Sequence, residues 1–265
     1  LKSIDEKGKA KGSINSEDHF KDSYDIAAEA IVLLKNNKNL LPLNTDGIKS
    51  IAVIGNNAKK KNALGGFGAG VKTEREVTPL EGLQNRLPKS IKINYAEGYL
   101  ERYSKIEKNK LGTITLKSPV TIDKLEPEML EAAIEAAKNS DMAIVFAGSN
   151  RDYETESSDR VSLALPFAQE ELINKVLAVN PNTIVVMIAG APYDLNNIKK
   201  KSNALIWSWF NGSEGGNALA DVILGNVNPS GKLPWTMPKK IEDSPAHATN
   251  SFPGDQAVEY KEGLL

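Results

Sequence analysis

Five short apolar runs recur along the chain, and each is separated from the next by a longer segment of mixed polarity. The runs are Ile51–Ile54, Ile91–Tyr95, Met142–Ala147, Thr183–Ala189 and Ala204–Trp209. Three of them are continuously apolar, which is typical of strands that are buried on both faces of a parallel sheet. This pattern restricts the possible folds more than any other feature of the sequence.

The segments between the apolar runs suit helices, which we predict over Thr78–Arg86, Pro127–Asn139, Pro166–Val179 and Gly216–Leu224. Strands that alternate with helices form βαβ units. The sequence therefore predicts an α/β fold of about residues 45 to 240: a doubly wound, mostly parallel sheet flanked by helices, or α/β sandwich.

The two ends of the chain have a different character. Apolar residues recur three and four positions apart within Asp22–Asn36, which predicts a helix there. Residues 1–22 are polar, Lys-rich and Gly-containing, which is typical of a linker. The last segment, after the sheet, is predicted to be irregular.

Composition excludes several classes of function. Hydrophobic content of 40% and charged content of 25% are ordinary for a globular protein, and the net charge of -1 argues against nucleic-acid or membrane-surface binding driven by bulk electrostatics. The chain has no cysteine, which excludes disulfides and thiolate chemistry. Its two histidines, His19 and His247, are too few for a multi-histidine metal centre and argue against a Ser-His-Asp triad.

Three loops follow strands of the predicted sheet, at the positions where ligands bind in open α/β folds. They span residues 55–73, 148–160 and 210–216, and we expect them to converge on one edge. The first contains the glycine-rich stretch Gly65–Thr73. Its spacing misses a phosphate-binding P-loop by one residue and does not match a Rossmann fingerprint. A flexible glycine turn, or a loop that presents Phe67 to a sugar ring, fits it better.

The second loop, NRDYETESSDR (150–160), concentrates carboxylates directly after a buried strand. Asp152 and Asp159 each stand beside an arginine, so ion pairing is the simplest interpretation of both. Glu154 and Glu156 share one side if the segment is extended. Two close carboxylates repel, which raises a pKa and can produce a general acid near neutral pH. From the residues alone, a solvated acidic loop remains the simpler interpretation.

The third loop leads into an Ala-rich helix, with Glu214 near the helix start. A carboxylate there is favourable for the helix dipole alone, so we predict a structural role for Glu214.

Taken together, several long motifs resemble the C-terminal α/β sandwich domain of glycoside hydrolase family 3, the β-glucosidase and β-xylosidase family. The acidic loop and the helix after it resemble the family pattern E-x-E-G-x-D-R-x-x-L-x-L-P-x-x-Q. The other matching stretches, in chain order, are AAEAIVLLKNNKNLLPL (27–43), IAVIGNNA (51–58), GGFGAG (65–70), VTPLEGL (77–83), NPNTIVVMIAGAPYDL (180–195) and WFNGSEGGNALADVILGNVNPSGKLPWTMP (209–238). FPG (252–254) and VEYKEGLL (258–265) close the match.

The resemblance implies a domain of a retaining, exo-acting β-glycosidase, most simply a β-glucosidase. Such enzymes use two carboxylates about 5 Å apart, a nucleophile and an acid/base. In the family the nucleophile is an aspartate on a preceding (β/α)8 barrel, so residues 1–22 would be the linker after that barrel and residues 23–265 the sandwich domain. Aligned on Asp159 and Arg160, Glu156 matches the acid/base glutamate, and Glu154 is the alternative register. Ser157 stands where the family usually has glycine.

The remaining expectations also come from the resemblance. Gly66, Phe67 and Gly68 would line the aglycone side of the pocket, whereas Asp159 and Arg160 would shape the acidic loop. The expected partners are the barrel of the same enzyme and a β-linked oligosaccharide or glycoside, not nucleic acid or a membrane. The chemistry requires no metal or organic cofactor, and the resemblance favours a periplasmic or secreted location. Without its nucleophile the chain is expected to be inactive alone.

Overall fold

The computed structural model describes residues 12–64, 70–101, 107–108, 114–115, 124–155, 160, 162–252, 254, 259, 261 and 263. Within them the strands are β1 Val32–Asn36, β2 Ser50–Ile54, β3 Lys92–Ala96, β4 Glu107–Lys108, β5 Ile114–Thr115, β6 Met142–Gly148, β7 Thr183–Ile188 and β8 Ala204–Trp207. The helices are α1 Glu17–Ala30, α2 Pro79–Arg86, α3 Pro127–Lys138, α4 Gln169–Val179, α5 Asn196–Lys201, α6 Gly215–Leu224 and α7 Pro245–Ala248.

Six of these strands form one sheet in the order β1-β8-β7-β6-β2-β3. All neighbouring pairs are parallel except β1 with β8, which is antiparallel. The chain order of the parallel strands reverses between β2 and β6, because β3 lies on one side of β2 and the later strands lie on the other. The five predicted strands and the predicted doubly wound sheet are confirmed.

Helices cover both faces of the sheet, and each face has its own hydrophobic core. On one face, α1, α2 and α6 pack on β2, β6, β7 and β8 through buried side chains such as Leu83 and Leu219. On the other face, α3, α4 and α5 contribute buried residues such as Leu172 and Ile198. Burial on both faces explains why β6 and β7 are buried along their whole length. The architecture is the predicted α/β sandwich.

The helix predicted over Asp22–Asn36 is wrong in both bounds. Helix α1 begins at Glu17, where Ser16 caps it by accepting a hydrogen bond from the His19 amide, and it ends at Ala30. Residues 32–36 instead form β1, in which Val32 pairs with Trp207 of β8. The helical spacing of apolar residues in this stretch does not reveal the unpaired edge of β8, and pairing with that edge makes the second half a strand.

The start of α1 bears on the predicted linker, because residues 17–22 are helical and Phe20 is buried. The predicted boundary at residue 22 thus falls inside a helix. At the other end, the described residues after α6 form no strand, and contain a short 3-10 turn at Ile241–Asp243 and α7. This agrees with the predicted irregular segment.

Candidate functional site

The loops after β2 and β6 meet at the carboxyl edge of the sheet, beside the point where the strand order reverses. The buried Asn57 side chain donates hydrogen bonds from Nδ2 to the carbonyl oxygens of Ala147 (3.2 Å) and Ser149 (2.9 Å). Further along, the Arg151 amide donates to Oδ1 of Asn62 at 3.4 Å. Ligands of open α/β sheets bind at this kind of crevice.

The loop after β8 reaches the same edge. The Arg151 guanidinium lies 5.9 Å from the centre of the Phe210 ring. A cavity of about 530 Å³ opens there, and all three predicted loops contribute to its wall, with Asn62, Arg151 and Phe210 among the lining residues. The predicted convergence of the three loops on one edge is therefore confirmed for their described residues.

The structure describes two carboxylates of the acidic loop, Asp152 and Glu154. Asp152 is exposed, and its Oδ2 lies 3.5 Å from Nζ of Lys60, whereas Glu154 accepts hydrogen bonds through both oxygens. Its Oε1 accepts hydrogen bonds from the hydroxyl groups of Ser149 and Tyr193, the latter at 3.0 Å. Its Oε2 accepts from the Gly190 amide at 2.8 Å. Ser149 directly follows β6, whereas Gly190 and Tyr193 lie in the turn after β7. One carboxylate therefore joins the ends of two neighbouring strands.

Burial raises the pKa of Glu154 above its ordinary value of 4.5. The hydrogen bonds from Ser149, Tyr193 and Gly190 and the nearby Arg160 charge act in the opposite direction without cancelling that rise. The pKa of Tyr193 is also raised, first by burial and then by the negative charge of Glu154.

The raised pKa of Glu154 predicts how the stability of the fold depends on pH. The folded state holds the Glu154 proton to a higher pH than the unfolded chain does, so the free energy of unfolding falls as pH rises from about 4.5 through the folded pKa. For one proton the slope is at most about 1.4 kcal/mol per pH unit. Glu154→Gln mimics the protonated form and is expected to remove this decline, as measured by urea unfolding between about pH 4 and pH 8.

The matched control is Glu171→Gln, the same change at an exposed position of α4. It should follow the pH profile of the unmodified chain. Stability curves of the Glu154→Gln variant and the unmodified chain that stay parallel across this range would contradict the prediction.

Arg160 anchors the other side of the acidic loop. Its Nη2 donates to the Pro192 carbonyl at 3.0 Å, and its guanidinium lies 4.3 Å from the centre of the Tyr193 ring. Arg160 thus contacts the turn after β7, and the loop-shaping role predicted for it stays a prediction.

Several predicted site residues lie outside the described part of the chain. Among them are Glu156 and Asp159 of the acidic loop. The same holds for the predicted aglycone-side residues Gly66, Phe67 and Gly68. Their predicted roles therefore stay predictions.

Sequence reasoning missed four residues that organise this edge: Ser149, Gln169, Gly190 and Tyr193. The Gln169 side chain is buried, and its Oε1 accepts a hydrogen bond from the Gly148 amide at 2.7 Å, which fixes the end of β6. A signal was available for each: the serine follows a buried strand, the glutamine ends the acidic-loop motif, and the other two stand in the stretch AGAPY (189–193) after β7.

Glu214 has the structural role that the sequence predicts. It is buried at the start of α6, and its Oε1 lies 2.8 Å from Nε of Arg75. Its Oε2 accepts a hydrogen bond from Nδ2 of Asn217 at 2.7 Å. The ion pair joins the loop before α2 to α6.

The described residues lack two kinds of feature. They contain no group of three or more His, Asp or Glu side chains that could hold a metal ion. In that same part of the chain, no helix combines the length and the apolar character needed to cross a membrane.

Comparison with known proteins places this arrangement in a family. Residues 31–265 match the family model described as the glycosyl hydrolase family 3 C-terminal domain. A β-glucosidase of Bacteroides ovatus is 38% identical over 264 residues, which cover 96% of this chain and 34% of that protein. The thermostable β-glucosidase B of Acetivibrio thermocellus is 35% identical over 261 residues, covering 98% of this chain and 31% of that protein.

A solved structure gives the same result in three dimensions. The crystal structure of a family 3 β-glucosidase from Bifidobacterium adolescentis superposes with a TM-score of 0.79 at 30% identity, over 96% of this chain and 34% of that one. The chain thus spans about a third of the length of these relatives. Since the family match extends over most of the chain and includes the acidic loop, the chain belongs to the glycosyl hydrolase family 3 C-terminal domains.

Proposed function

We propose that this domain works in a retaining, exo-acting β-glucosidase, where it supplies the general acid/base and part of the aglycone side of the pocket. The substrate would be a terminal, non-reducing β-D-glucosyl residue. The nucleophile would be an aspartate on an N-terminal (β/α)8 barrel of the same enzyme. No metal or organic cofactor is needed for this chemistry.

One observation carries the proposal: the acidic loop leaves β6 beside the strand-order reversal, and residues on both sides of 156–159 are held at that edge. Glu154 is bound there by Ser149, Tyr193 and Gly190. Arg160 is bound there through Pro192. The crevice in which open α/β sheets bind ligands lies at the same edge.

In the proposed reaction, Glu156 first acts as an acid and then as a base. Its proton passes to the glycosidic oxygen as the aglycone leaves and the nucleophile forms the glycosyl-enzyme. The ionised Glu156 then removes a proton from the water that hydrolyses this intermediate. The loop of Gly66, Phe67 and Gly68 would contact the departing aglycone, with the ring of Phe67 as a platform.

Glu154 is the alternative acid/base, and its contacts argue for Glu156. Both oxygens of Glu154 already accept hydrogen bonds from the protein. An acid that serves a substrate needs an oxygen within hydrogen-bond reach of the glycosidic bond. The raised pKa of Glu154 is the observation that keeps it as the second candidate.

Two rival functions remain to be separated. A non-catalytic carbohydrate-binding or scaffolding domain would have the same fold and the same cavity. A nucleotide-binding domain built on Gly65–Thr73 would contradict the spacing of its glycines. Titration calorimetry of the chain with cello-oligosaccharides, ATP and NAD measures both binding activities directly.

The experiment that tests the proposal compares the chain alone, a family 3 N-terminal barrel alone, and the two joined in one polypeptide. The chain alone should leave aryl β-glucosides intact, because it lacks the nucleophile. The barrel alone should hydrolyse unactivated alkyl β-glucosides poorly, because it lacks the acid, and the joined protein should hydrolyse them. Equal activity of the barrel with and without this domain would favour the scaffolding function.

A further inference from the structure

Glu154 joins the loop after β6 to the turn after β7. Ser149 and Glu154 belong to the loop after β6, whereas the Gly190 amide and the Tyr193 hydroxyl belong to the turn after β7. Since one carboxylate accepts from all three, the two segments are fixed relative to each other. A shorter side chain could not bridge them, and a side chain without two acceptors would leave a donor unpaired.

Arg160, which follows residues 156–159 of the acidic loop, contacts the same 190–193 turn. Arg160 donates to the Pro192 carbonyl and stacks over the Tyr193 ring at 4.3 Å. Tyr193 therefore contacts both anchors: its hydroxyl group donates to Glu154, and its ring face receives Arg160. Residues on both sides of 156–159 thus rest on one turn.

Gly190 is suited to this turn for a steric reason. A Cβ atom at this position would lie 2.7 Å from Oε2 of Glu154 and 3.3 Å from Cε2 of the Phe210 ring. Any side chain there would displace the carboxylate from the amide that it accepts from. Glycine therefore lets the Glu154 carboxylate reach this amide without such a displacement.

We propose that Glu154 is a positioning residue of the active site: together with Ser149, Gly190 and Tyr193 it fixes the acidic loop so that the acid/base at position 156 keeps its place. This inference rests on the proposed function. It assigns to Glu154 no proton transfer to the substrate. Its effect on the reaction passes through the geometry of the loop.

The test uses the complete enzyme, with this chain joined to its N-terminal barrel, and two aryl glucosides with good and poor leaving groups. In Glu154→Gln an amide nitrogen replaces one acceptor, and Gly190→Ala removes the room for the carboxylate. Both should lower kcat/KM by about 10- to 100-fold, since a displacement of about 1 Å costs rate on this scale. The loss should be larger for the poor leaving group, because only that substrate depends on the placement of the acid, and it should stay below the loss in Glu156→Gln.

Tyr193→Phe provides a milder variant that retains the ring packing, and it should lower kcat/KM by about 3- to 10-fold. Glu171→Gln is the matched control and should have no effect, because that side chain is exposed on α4. In the chain alone, hydrogen exchange of the Gly190 amide should accelerate in Glu154→Gln, which shows that the contact exists even if a variant of the complete enzyme folds poorly.

The results of these experiments distinguish a failure of the positioning role from a failure of the proposed function. Rescue by azide of Glu154→Gln but not of Glu156→Gln would make Glu154 itself the acid/base, overturning the positioning role but not the function. Unchanged kcat/KM in Glu154→Gln and Tyr193→Phe, or unchanged exchange of the Gly190 amide, would also overturn it. If neither Glu154→Gln nor Glu156→Gln shows dependence on the leaving group or rescue by azide, the proposed function fails as well.

Discussion

Glu156→Gln is expected to lower the hydrolysis of glucosides with poor leaving groups by about two to four orders of magnitude in the complete enzyme, the usual contribution of a positioned general acid. Glutamine has almost the same shape as glutamate but cannot donate the required proton. An alkoxide leaving group needs that proton, whereas an activated phenolate does not. Steady-state kcat/KM for a series of aryl and alkyl glucosides measures the difference.

The second half of the reaction gives an independent check. With an activated substrate the variant should form the glycosyl-enzyme and then stall, because no base activates water. Azide is an anionic nucleophile that needs no base, so it should restore turnover and yield a glucosyl azide. Glu171→Gln should leave both leaving-group series unchanged. A variant with full activity toward alkyl glucosides would show that Glu156 is not the acid.

Gly216→Ala is expected to lower the free energy of unfolding by about 3 kcal/mol or more, the upper range for overpacked sites. At the start of α6, a Cβ on Gly216 would lie 2.1 Å from the Thr78 carbonyl oxygen. Across the same crossing, a Cβ on Gly82 of α2 would lie 1.9 Å from the Gly216 carbonyl oxygen. Because these contacts are with backbone atoms, no side-chain rotation relieves them, and the two helices must separate.

The sign of the change in the free energy of unfolding distinguishes overpacking at this crossing from helix propensity. Helix propensity alone predicts that an alanine in α6 stabilises the fold by up to about 1 kcal/mol. Urea unfolding at equilibrium measures which effect dominates. Gly12→Ala is the matched control, since a Cβ there meets nothing within 4 Å. A stability equal to or above that of the unmodified chain would mean that α2 and α6 do not cross this closely.

Most of the sheet was predictable because its strands are buried on both faces. A segment such as Met142–Ala147 must be apolar throughout to lie between two helical layers, and that pattern is visible without any structure. Its observed bounds, Met142–Gly148, differ from the prediction by one residue. Helices that join parallel strands follow from the same logic, as at Pro127–Lys138.

The edge strand β1 was not predictable in the same way. Ile31 and Leu34 fit the apolar face of a helix by spacing, yet residues 32–36 form a strand because β8 offers an open edge. That edge exists only once the sheet has formed. Local spacing cannot report a hydrogen-bonding partner that lies more than 170 residues further along the chain, as Trp207 does from Val32.

At the candidate site, too, the sequence predicts which residues matter, whereas the tertiary structure decides what they contact. Motif order placed the acidic loop at the carboxyl edge and singled out Glu154 and Glu156, because residue types and their positions after strands are properties of the chain. Two of the three hydrogen-bond partners of Glu154 come from a turn 36 and 39 residues away, at Gly190 and Tyr193. Burial, the raised pKa and the anchoring of the loop therefore arise when β6 and β7 pair, since only that pairing brings the carboxylate, the amide and the phenol together.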